Sequence, residues 1–290
     1  MRADLHVHSN ASDGTDPPAE VIRRAALARL DVVALTDHDT TAGHAQAREA
    51  LPPGLELVPG MELSCQLGGR SVHLLAYLFD PAAEELAAQT ALIRDDRVHR
   101  ARAMVARLRE LGADVTWDQV AAIAGESVVG RPHIARAMAQ ADVVKDPADA
   151  FTSDWIGDDG RAYVEKYALD PVEAIALVRA AGGVTVLAHP RAGREWELSE
   201  RQIAGLAAAG LAGLEVWHPD HPESERAVLL ATARDLDLVA TGGSDDHGEL
   251  TGYRIGCETA AEDAYPQLQA RAQRRPLRGR SGLRGGKGAP

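Results

Sequence analysis

Ala3-Asp4-Leu5-His6-Val7-His8-Ser9 reads as a short strand that ends on two histidines, and the alternation it begins decides the fold. Asp16, Pro17 and Pro18 open an amphipathic stretch to Leu30, prolines being well suited to a first helical turn. Asp31-Val-Val-Ala-Leu-Thr36 is a second strand, residues 41–51 a second helix and residues 55–58 a third strand. A fourth strand, 71–78, comes after a turn at Gly68-Gly69. The same rhythm returns later: helix 171–181, strand 184–188, helix 199–209, strand 213–217, helix 223–236 and strand 238–241. Short β-branched runs alternating with Ala/Leu-rich helices predict an α/β chain of parallel strands joined by helices, in a barrel-like body.

Between the two halves the pattern turns helical. Residues 82–111 read as one or two long helices, followed by helical stretches at 117–124 and 133–141 and a polar region at 145–160. The expected organisation is a discontinuous body of residues 1–99 and 169–270, a helical insertion at 100–168, and a basic tail at 271–290 that is expected to be disordered.

Composition narrows the class. The 290 residues are 45% hydrophobic and 26% charged, which excludes a disordered, collagen-like or membrane-spanning chain. The net charge is −12, but residues 271–290 hold six Arg, one Lys and no acid, leaving −19 on residues 1–270. So acidic a body binds a phosphate backbone poorly unless a metal or a local patch reverses the field. Cys65 and Cys257 form no disulfide framework and no thiolate metal motif, which fits a reduced compartment. With no signal peptide after Met1 and no apolar run near the ~18 residues of a membrane helix, the expectation is cytoplasmic, with no membrane and no obligate protein partner.

The eleven histidines are not scattered. His6 and His8, two apart on a strand, point to the same side. Asp13 follows in the next loop, and His38 lies just past strand two in Thr36-Asp37-His38-Asp39. Glu62 is expected just past strand three, His73 in strand four, His189 at the end of strand five, and Asp245 and His247 after the last strand. All are placed at or near the C-terminal ends of strands, the edge where a β/α barrel builds its active site. Singly, each has a plain structural reading: a core histidine, a turn aspartate, a helix cap. Together, imidazoles and carboxylates on one edge point to first-row metal chemistry. Six imidazoles and three carboxylates exceed the needs of one tetrahedral ion, so a cluster of two or three divalent ions (Mn, Zn or Fe) is expected, with Glu62 bridging. Such a pocket would favour a phosphate and supply a metal-bound hydroxide near neutral pH.

These motifs, His6-Val7-His8 with Asp13, Asp37-His38-Asp39, Gly60-Met61-Glu62, His73, Ala188-His189-Pro190 and Ser244-Asp245-Asp246-His247, resemble the motif set of the PHP (polymerase and histidinol phosphatase) superfamily. The resemblance covers residues 1–80 and 170–260. It implies a distorted (β/α)7 barrel and a phosphoesterase with two or three metal ions. Carried over, His6, His8, Glu62 and Asp245 would hold the first ion. Glu62, His73 and His189 would hold the second, and Asp13, His38 and His247 the third. Asp245, His247 and Glu62 are the expected catalytic residues, with no covalent intermediate, because Ser64 and Cys65 lack a base partner. The insertion resembles that of small stand-alone bacterial members, which remove the 3′-phosphate of nucleoside 3′,5′-bisphosphates or trim the 5′ ends of short RNAs. Gly130-Arg131-Pro132-His133 resembles their phosphate-contacting segment, making Arg131 and His133 expected substrate contacts; the plain alternative is a helix start with a solvated arginine.

His218 and His221 are expected to rim the pocket, as substrate contacts or as loop structure, and His44 and His99 to lie on exposed helix faces. Asp37, Asp39 and Asp246 either orient imidazoles or are solvated. Three rivals remain: a histidinol-phosphatase-like enzyme, a metal-dependent amidohydrolase, and a non-catalytic nucleic-acid-binding module working through its tail. A carboxylated-lysine bridge is disfavoured because lysine occurs only at 145, 166 and 287, in the insertion and the tail. An intact ligand set and a tail without aromatic stacking groups disfavour the module.

Overall fold

The computed structural model describes residues 1–192 and 198–273. Seven strands form one sheet in the order β1-β2-β3-β4-β5-β6-β7. They are β1 (Ala3–Val7), β2 (Val32–Leu35), β3 (Glu56–Leu67), β4 (Arg70–Tyr77), β5 (Val184–Leu187), β6 (Gly213–Trp217) and β7 (Val239–Gly242). Hydrogen bonds from Asp245 N–H to His6 O (2.8 Å) and from His8 N–H to Asp246 O (2.9 Å) join β1 to the segment after β7 and close the barrel. The fold is a distorted seven-stranded β/α barrel.

Helices α1 (Pro18–Leu27) and α2 (His44–Glu49) cover β1 and β2, with Val21, Ile22, Ala25 and Ala47 packed on Val7, Val33 and Leu35. The long helix α3 (Glu84–Glu110) leads into α4 (Trp117–Ala124) and α5 (Arg131–Gln140). Helices α6 (Pro171–Ala180), α7 (Glu200–Ala209) and α8 (Glu223–Asp235) flank β5 to β7 and bury Ile175, Val178, Ile203, Leu206 and Leu229 against Leu187, Leu214 and Val216. Helix α9 (Ala264–Gln273) joins an apolar cluster drawn from β1 to β5 and β7, including Leu5, Val32, Val58, Tyr77, Val186 and Val239. Residues from strands so far apart in the sheet can meet only in the lumen, so α9 closes one end of the barrel.

Several expectations change. β4 is antiparallel to both β3 and β5, so the sheet is not all parallel. The cause is the Gly68-Gly69 turn: both residues have positive φ (59° and 80°), as a two-residue hairpin requires. Reversal places the start of β4 on the same edge as the ends of its neighbours, which is how His73, three residues into its strand, reaches the site. β3 also runs on to Leu67, so Glu62 lies within the strand instead of past it. The body extends beyond residue 270: Arg271 lies in the last turn of α9 and donates to Asp237 O (2.6 Å), while tail residues 274–290 lie outside the described residues.

Residues 101–162 gather their own apolar cluster from α3, α4, α5 and the turns after them, including Met104, Leu108, Val120, Ile134, Met138 and Ile156. α3 belongs to both bodies. Leu86 and Ile93 pack in the barrel's cluster, whereas Ala101, Met104, Val105 and Leu108 pack in the second. The expected division at residues 99 and 100 falls inside this helix. The chain returns alongside β3, where Gln66 N–H donates to Leu169 O (2.9 Å).

Candidate metal centre

Strand alternation aims the side chains. On β4, Val72, Leu74 and Ala76 pack outward, leaving His73, Leu75 and Tyr77 inward. On β3, Met61, Leu63 and Cys65 pack outward, so Glu62 faces in. β1 departs from strict alternation. Its pairing with β2 shifts register between Asp4 and Val7; Leu5 packs in the lumen and Val7, two residues on, packs under α1. Such an irregularity re-aims side chains, here turning His6 and His8 toward the centre.

Four buried carboxylates tie down the loops that carry the other ligands. Asp37 accepts from Ser9 N–H (2.8 Å), Ser9 Oγ (2.7 Å) and Ser12 Oγ (2.7 Å), shaping the turn before Asp13. Asp39 accepts from Ser64 N–H (2.7 Å) and from Arg97 (2.7 Å), holding the loop of His38. Asp4 accepts from Ser244 N–H (2.9 Å), and Asp246 from Gly248 N–H (3.0 Å), on either side of Asp245 and His247. Asp37, Asp39 and Asp246 are thus neither solvated nor bonded to imidazoles; they bind loop backbone. Asp39, His189 and Asp245 hold positive φ (54°, 27° and 48°), a conformation that costs a non-glycine residue about 1–3 kcal/mol and needs such support.

The nine expected ligands converge. Glu62 Oε2 lies 3.2 Å from His6 Nε2, 3.0 Å from His8 Nε2 and 3.4 Å from His38 Nδ1. Its Oε1 lies 2.7 Å from His73 Nδ1 and 2.9 Å from His189 Nε2. Asp245 Oδ1 is 3.2 Å from His6 Nε2 and 3.3 Å from His8 Nε2. Asp13 faces His247 Nε2 (3.4 Å) and His38 Nε2 (3.7 Å). His247 Nδ1–H donates to Asp245 O (3.0 Å), which leaves its Nε2 lone pair toward Asp13.

A metal fits these residues. His8 Nδ1, Asp13 Oδ1, His38 Nδ1 and His73 Nδ1 are buried without a properly formed hydrogen bond, an unfavourable state for polar atoms unless a cation takes them. Three sets of donor atoms each fall within 4.8 Å of one another: His6, His8, Glu62, Asp245; His8, Asp13, His38, His247; and His38, Glu62, His73. A four-coordinate ion with bonds of about 2.0–2.1 Å has donor separations near 3.3 Å, close to those in the first set. Burial, the strongest influence, pulls His38 down to about 4 and His73 well below the usual imidazole range, so both rings offer lone pairs. Burial alone would raise Glu62, but the facing imidazoles, His38 first, outweigh it and hold the carboxylate ionised.

Gly243 shows how tightly the barrel closes here. A Cβ on it would stand 2.5 Å from His6 Cβ and 2.6 Å from His6 N. Gly243→Ala must therefore push β1 away, with an expected cost of about 1–3 kcal/mol and loss of metal. Thermal melts of the metal-free protein and elemental analysis read the two effects separately; unchanged values in both would contradict this packing.

Beside the ligands is a cavity of about 160 Å3 lined by Asp13, His38, His73, Ser71, Arg97, Arg100, Arg131, Pro132, Phe151, Tyr163 and Lys166. A larger one, about 540 Å3, lies between α3 and the loops near Thr40 and Val128 and touches none of the nine ligands, so size does not locate the site. In the smaller cavity Lys166 donates to Ser71 Oγ (2.8 Å) and Arg100 to Val164 O (2.6 Å). Arg131 Nη1 donates to Asp158 Oδ1 (2.8 Å), with its guanidinium 5.7 Å from the Phe151 and Tyr163 rings. Arg97, Arg100 and Lys166 carry no sequence motif that would point to them.

Three histidines depart from expectation. His133 is buried with Nδ1 accepting from Gly130 N–H (3.0 Å), so it caps α5, and it does not line the cavity beside the ligands. His218, expected as a substrate contact, is buried; its Nδ1 accepts from Asp220 N–H (3.1 Å), which leaves Nε2–H to donate to Asp245 Oδ2 (3.3 Å). His44 is not exposed: its ring is buried with Nε2 on Gly60 O (2.9 Å). Of the two roles open to His221, loop structure is the one observed, since its ring bridges Val216 O and Arg191 N–H.

The model of the PHP domain family matches residues 4–113. A 3′,5′-nucleoside bisphosphate phosphatase of Chromobacterium violaceum is 35% identical over 93% of this chain and 98% of its own. A 5′-3′ exoribonuclease of Haemophilus influenzae is 33% identical over 84% of this chain and 89% of its own. The crystal structure of a Bifidobacterium adolescentis protein, expected from its sequence to be a metal-dependent phosphoesterase, superposes with a TM-score of 0.87 at 37% identity, covering 93% of this chain and 96% of its own.

Proposed function

We propose, from the premise that this chain belongs to the PHP domain family and is a metal-dependent phosphoesterase, that it acts on nucleotides bearing a second phosphate or on the 5′ end of short RNA. The observation that carries this reading is the basic, aromatic-flanked cavity against the metal ligands. In a body so acidic, four cations gathered at one edge select for a substrate with an anionic group beyond the one that reacts. Both relatives' named substrates present such a pair of phosphates.

Two or three divalent ions, Mn, Zn or Fe, would be held by His6, His8, Glu62 and Asp245, by Glu62, His73 and His189, and by Asp13, His38 and His247. When bound, such ions activate water and neutralise phosphoryl charge. The chain's own groups do the rest. Asp245 Oδ2, turned away from His6 and His8 and held by His218, is placed to take a proton from the attacking water. A bond forms from water oxygen to phosphorus, the ester P–O bond breaks, and the leaving oxygen takes up a proton, giving phosphate and an alcohol from a monoester, or a mononucleotide and a shortened RNA from a terminal diester. His247 serves as a ligand and not as a proton carrier, because Nδ1–H is committed to a carbonyl. Arg131, Arg97, Arg100 and Lys166 bind the second phosphate. Phe151 and Tyr163 flank the sugar or base. Buried Cys65 and exposed Cys257, both free thiols, suit the reducing cytoplasm, and no helix among the described residues is long and apolar enough to cross a membrane.

The test is release of phosphate, or of mononucleotide from RNA, by apo-protein resupplied with Mn2+, Zn2+ or Fe2+. The substrates are nucleoside 3′,5′-bisphosphates, mononucleotides, short 5′-phosphorylated RNAs and p-nitrophenyl phosphate. Substrates with two phosphates should show kcat/KM about 10- to 100-fold higher, the effect of one or two charged hydrogen bonds. Equal kcat/KM across the panel would overturn the reading.

Lys166 adds a pH signature. Desolvation in the pocket, with Arg97 and Arg100 adding to it, pulls its ammonium down to about 7. The free enzyme thus carries this charge below pH 7 and loses it above. Since kcat/KM titrates groups of the free enzyme, its value for a bisphosphate should fall as pH rises through 7. Lys166→Arg keeps the charge and should abolish that fall. Superimposable pH profiles for the two proteins would remove Lys166 from the phosphate site.

A further inference from the structure

We propose that Glu215 is a positioning residue that couples two of the metal positions, so that they fill as a unit while the third fills separately. This rests on the ligand assignment above. Glu215 stands in the middle of β6, between Leu214 and Val216, both of which pack outward into the barrel's apolar cluster. Its carboxylate is therefore turned inward and completely buried. Burying a charge there is costly unless both oxygens are satisfied, and both are. Oε1 accepts from His6 Nδ1 (3.1 Å), and Oε2 accepts from the backbone N–H of His189 (2.7 Å).

The two bonds act on different positions. Accepting a hydrogen bond from His6 Nδ1–H keeps the proton on that nitrogen and leaves the Nε2 lone pair facing Glu62 and Asp245, the tautomer that the first ion needs. The bond to His189 N–H secures a residue whose backbone stands at positive φ, and so fixes where its ring meets Glu62 Oε1. The His6 and His189 rings stack at 5.7 Å, so a shift of one is felt by the other. Asp13, His38 and His247 are held instead by the loops that Asp37, Asp39 and Asp246 tie down.

Glu215→Gln separates this role from simple packing, because the amide fills the same space but cannot accept both bonds. With its NH2 toward His189, two N–H donors oppose each other. With its NH2 toward His6, it donates to Nδ1 and drives the proton onto Nε2, the atom required for metal. Apo-protein and variant would be titrated with Zn2+ and with Mn2+ by calorimetry and chelator competition, alongside elemental analysis and melts of the metal-free forms. Wild type should take up two ions in one linked step and a third in a separate step. In the variant, the linked pair should weaken about 10- to 100-fold, the range for a lost ligand-orienting bond, while the separate ion and the metal-free melting temperature stay unchanged. Three independent wild-type steps, or a folded variant with wild-type affinity at all positions, would overturn the proposal. If Glu215→Gln does not fold, Glu215→Asp, whose shorter carboxylate cannot reach both His6 and His189, is titrated in its place with the same expected and overturning outcomes. A wild-type protein binding at most one ion would instead overturn the cluster assignment beneath it.

Discussion

Glu62→Gln is expected to leave at most one ion per chain and to slow turnover at least ~10³-fold, equivalent to about 4 kcal/mol of lost transition-state stabilisation. Five imidazoles surround this carboxylate: His6, His8 and His38 on Oε2, His73 and His189 on Oε1. The variant keeps the volume but removes the charge and turns one acceptor into a donor. Whichever way the amide faces, one group of rings meets an NH2 in place of an oxygen. Two metal positions should therefore fail together, which no substitution confined to a single position would do. Elemental analysis of metal-supplied protein, with a metal-free melt as folding control, checks this. A folded variant that retained its full metal content would show that Glu62 bridges nothing.

Arg131→Ala should lower kcat/KM by about 10- to 100-fold for substrates with two phosphates and leave p-nitrophenyl phosphate nearly untouched. Arg131 opens α5, lines the cavity shared by Asp13, His38 and His73, and rests between Asp158 and two aromatic rings. Its planar fork matches phosphate oxygens, and one charged hydrogen bond is worth about 1.5–3 kcal/mol. Arg131→Lys should recover little, since a point charge cannot make paired bonds. The small ester is the control. Equal losses on both substrate types would mean that the change acts through the Phe151–Asp158 turns or the metal ligands, and no loss on either would make Arg131 a surface residue.

The candidate ligands are legible in the sequence because chemistry and periodicity coincide in them: His6 and His8 share a strand face, and His38, His189, Asp245 and His247 each come after a short apolar run. Glu62 and His73 stand out by residue type, and the rhythm puts His73 in its strand, but it sets Glu62 past β3 and does not give the reversed direction of β4, because it does not reveal the Gly68-Gly69 turn as a hairpin. Glu215 leaves a fainter sign in its neighbours: an acid between two outward-packing apolar residues must face the lumen. Arg97, Arg100 and Lys166 leave no comparable trace. Their spacing along a helix and a returning loop matches any solvated surface, and only the packing of the second cluster against the barrel brings them together. His133 misleads for the opposite reason. A histidine three residues after Gly130 suits a helix cap as well as a phosphate site, and here the cap takes its Nδ1.

The continuity of α3 bears on how such enzymes can diverge. Its first half is anchored in the barrel, its second half in the added cluster, and Arg94 and Arg97 between them hold Asp39 beside His38. A recombination event at residues 99–100 would cut a helix through its middle and rotate every later side chain relative to the ligands. Changes at the far turns, around Asp114 or Asp158, leave that axle intact. New substrate preferences are therefore more accessible by rewriting the tips of this structure than by exchanging it whole, and transplants between relatives should take the helix from Glu84 onward as one piece.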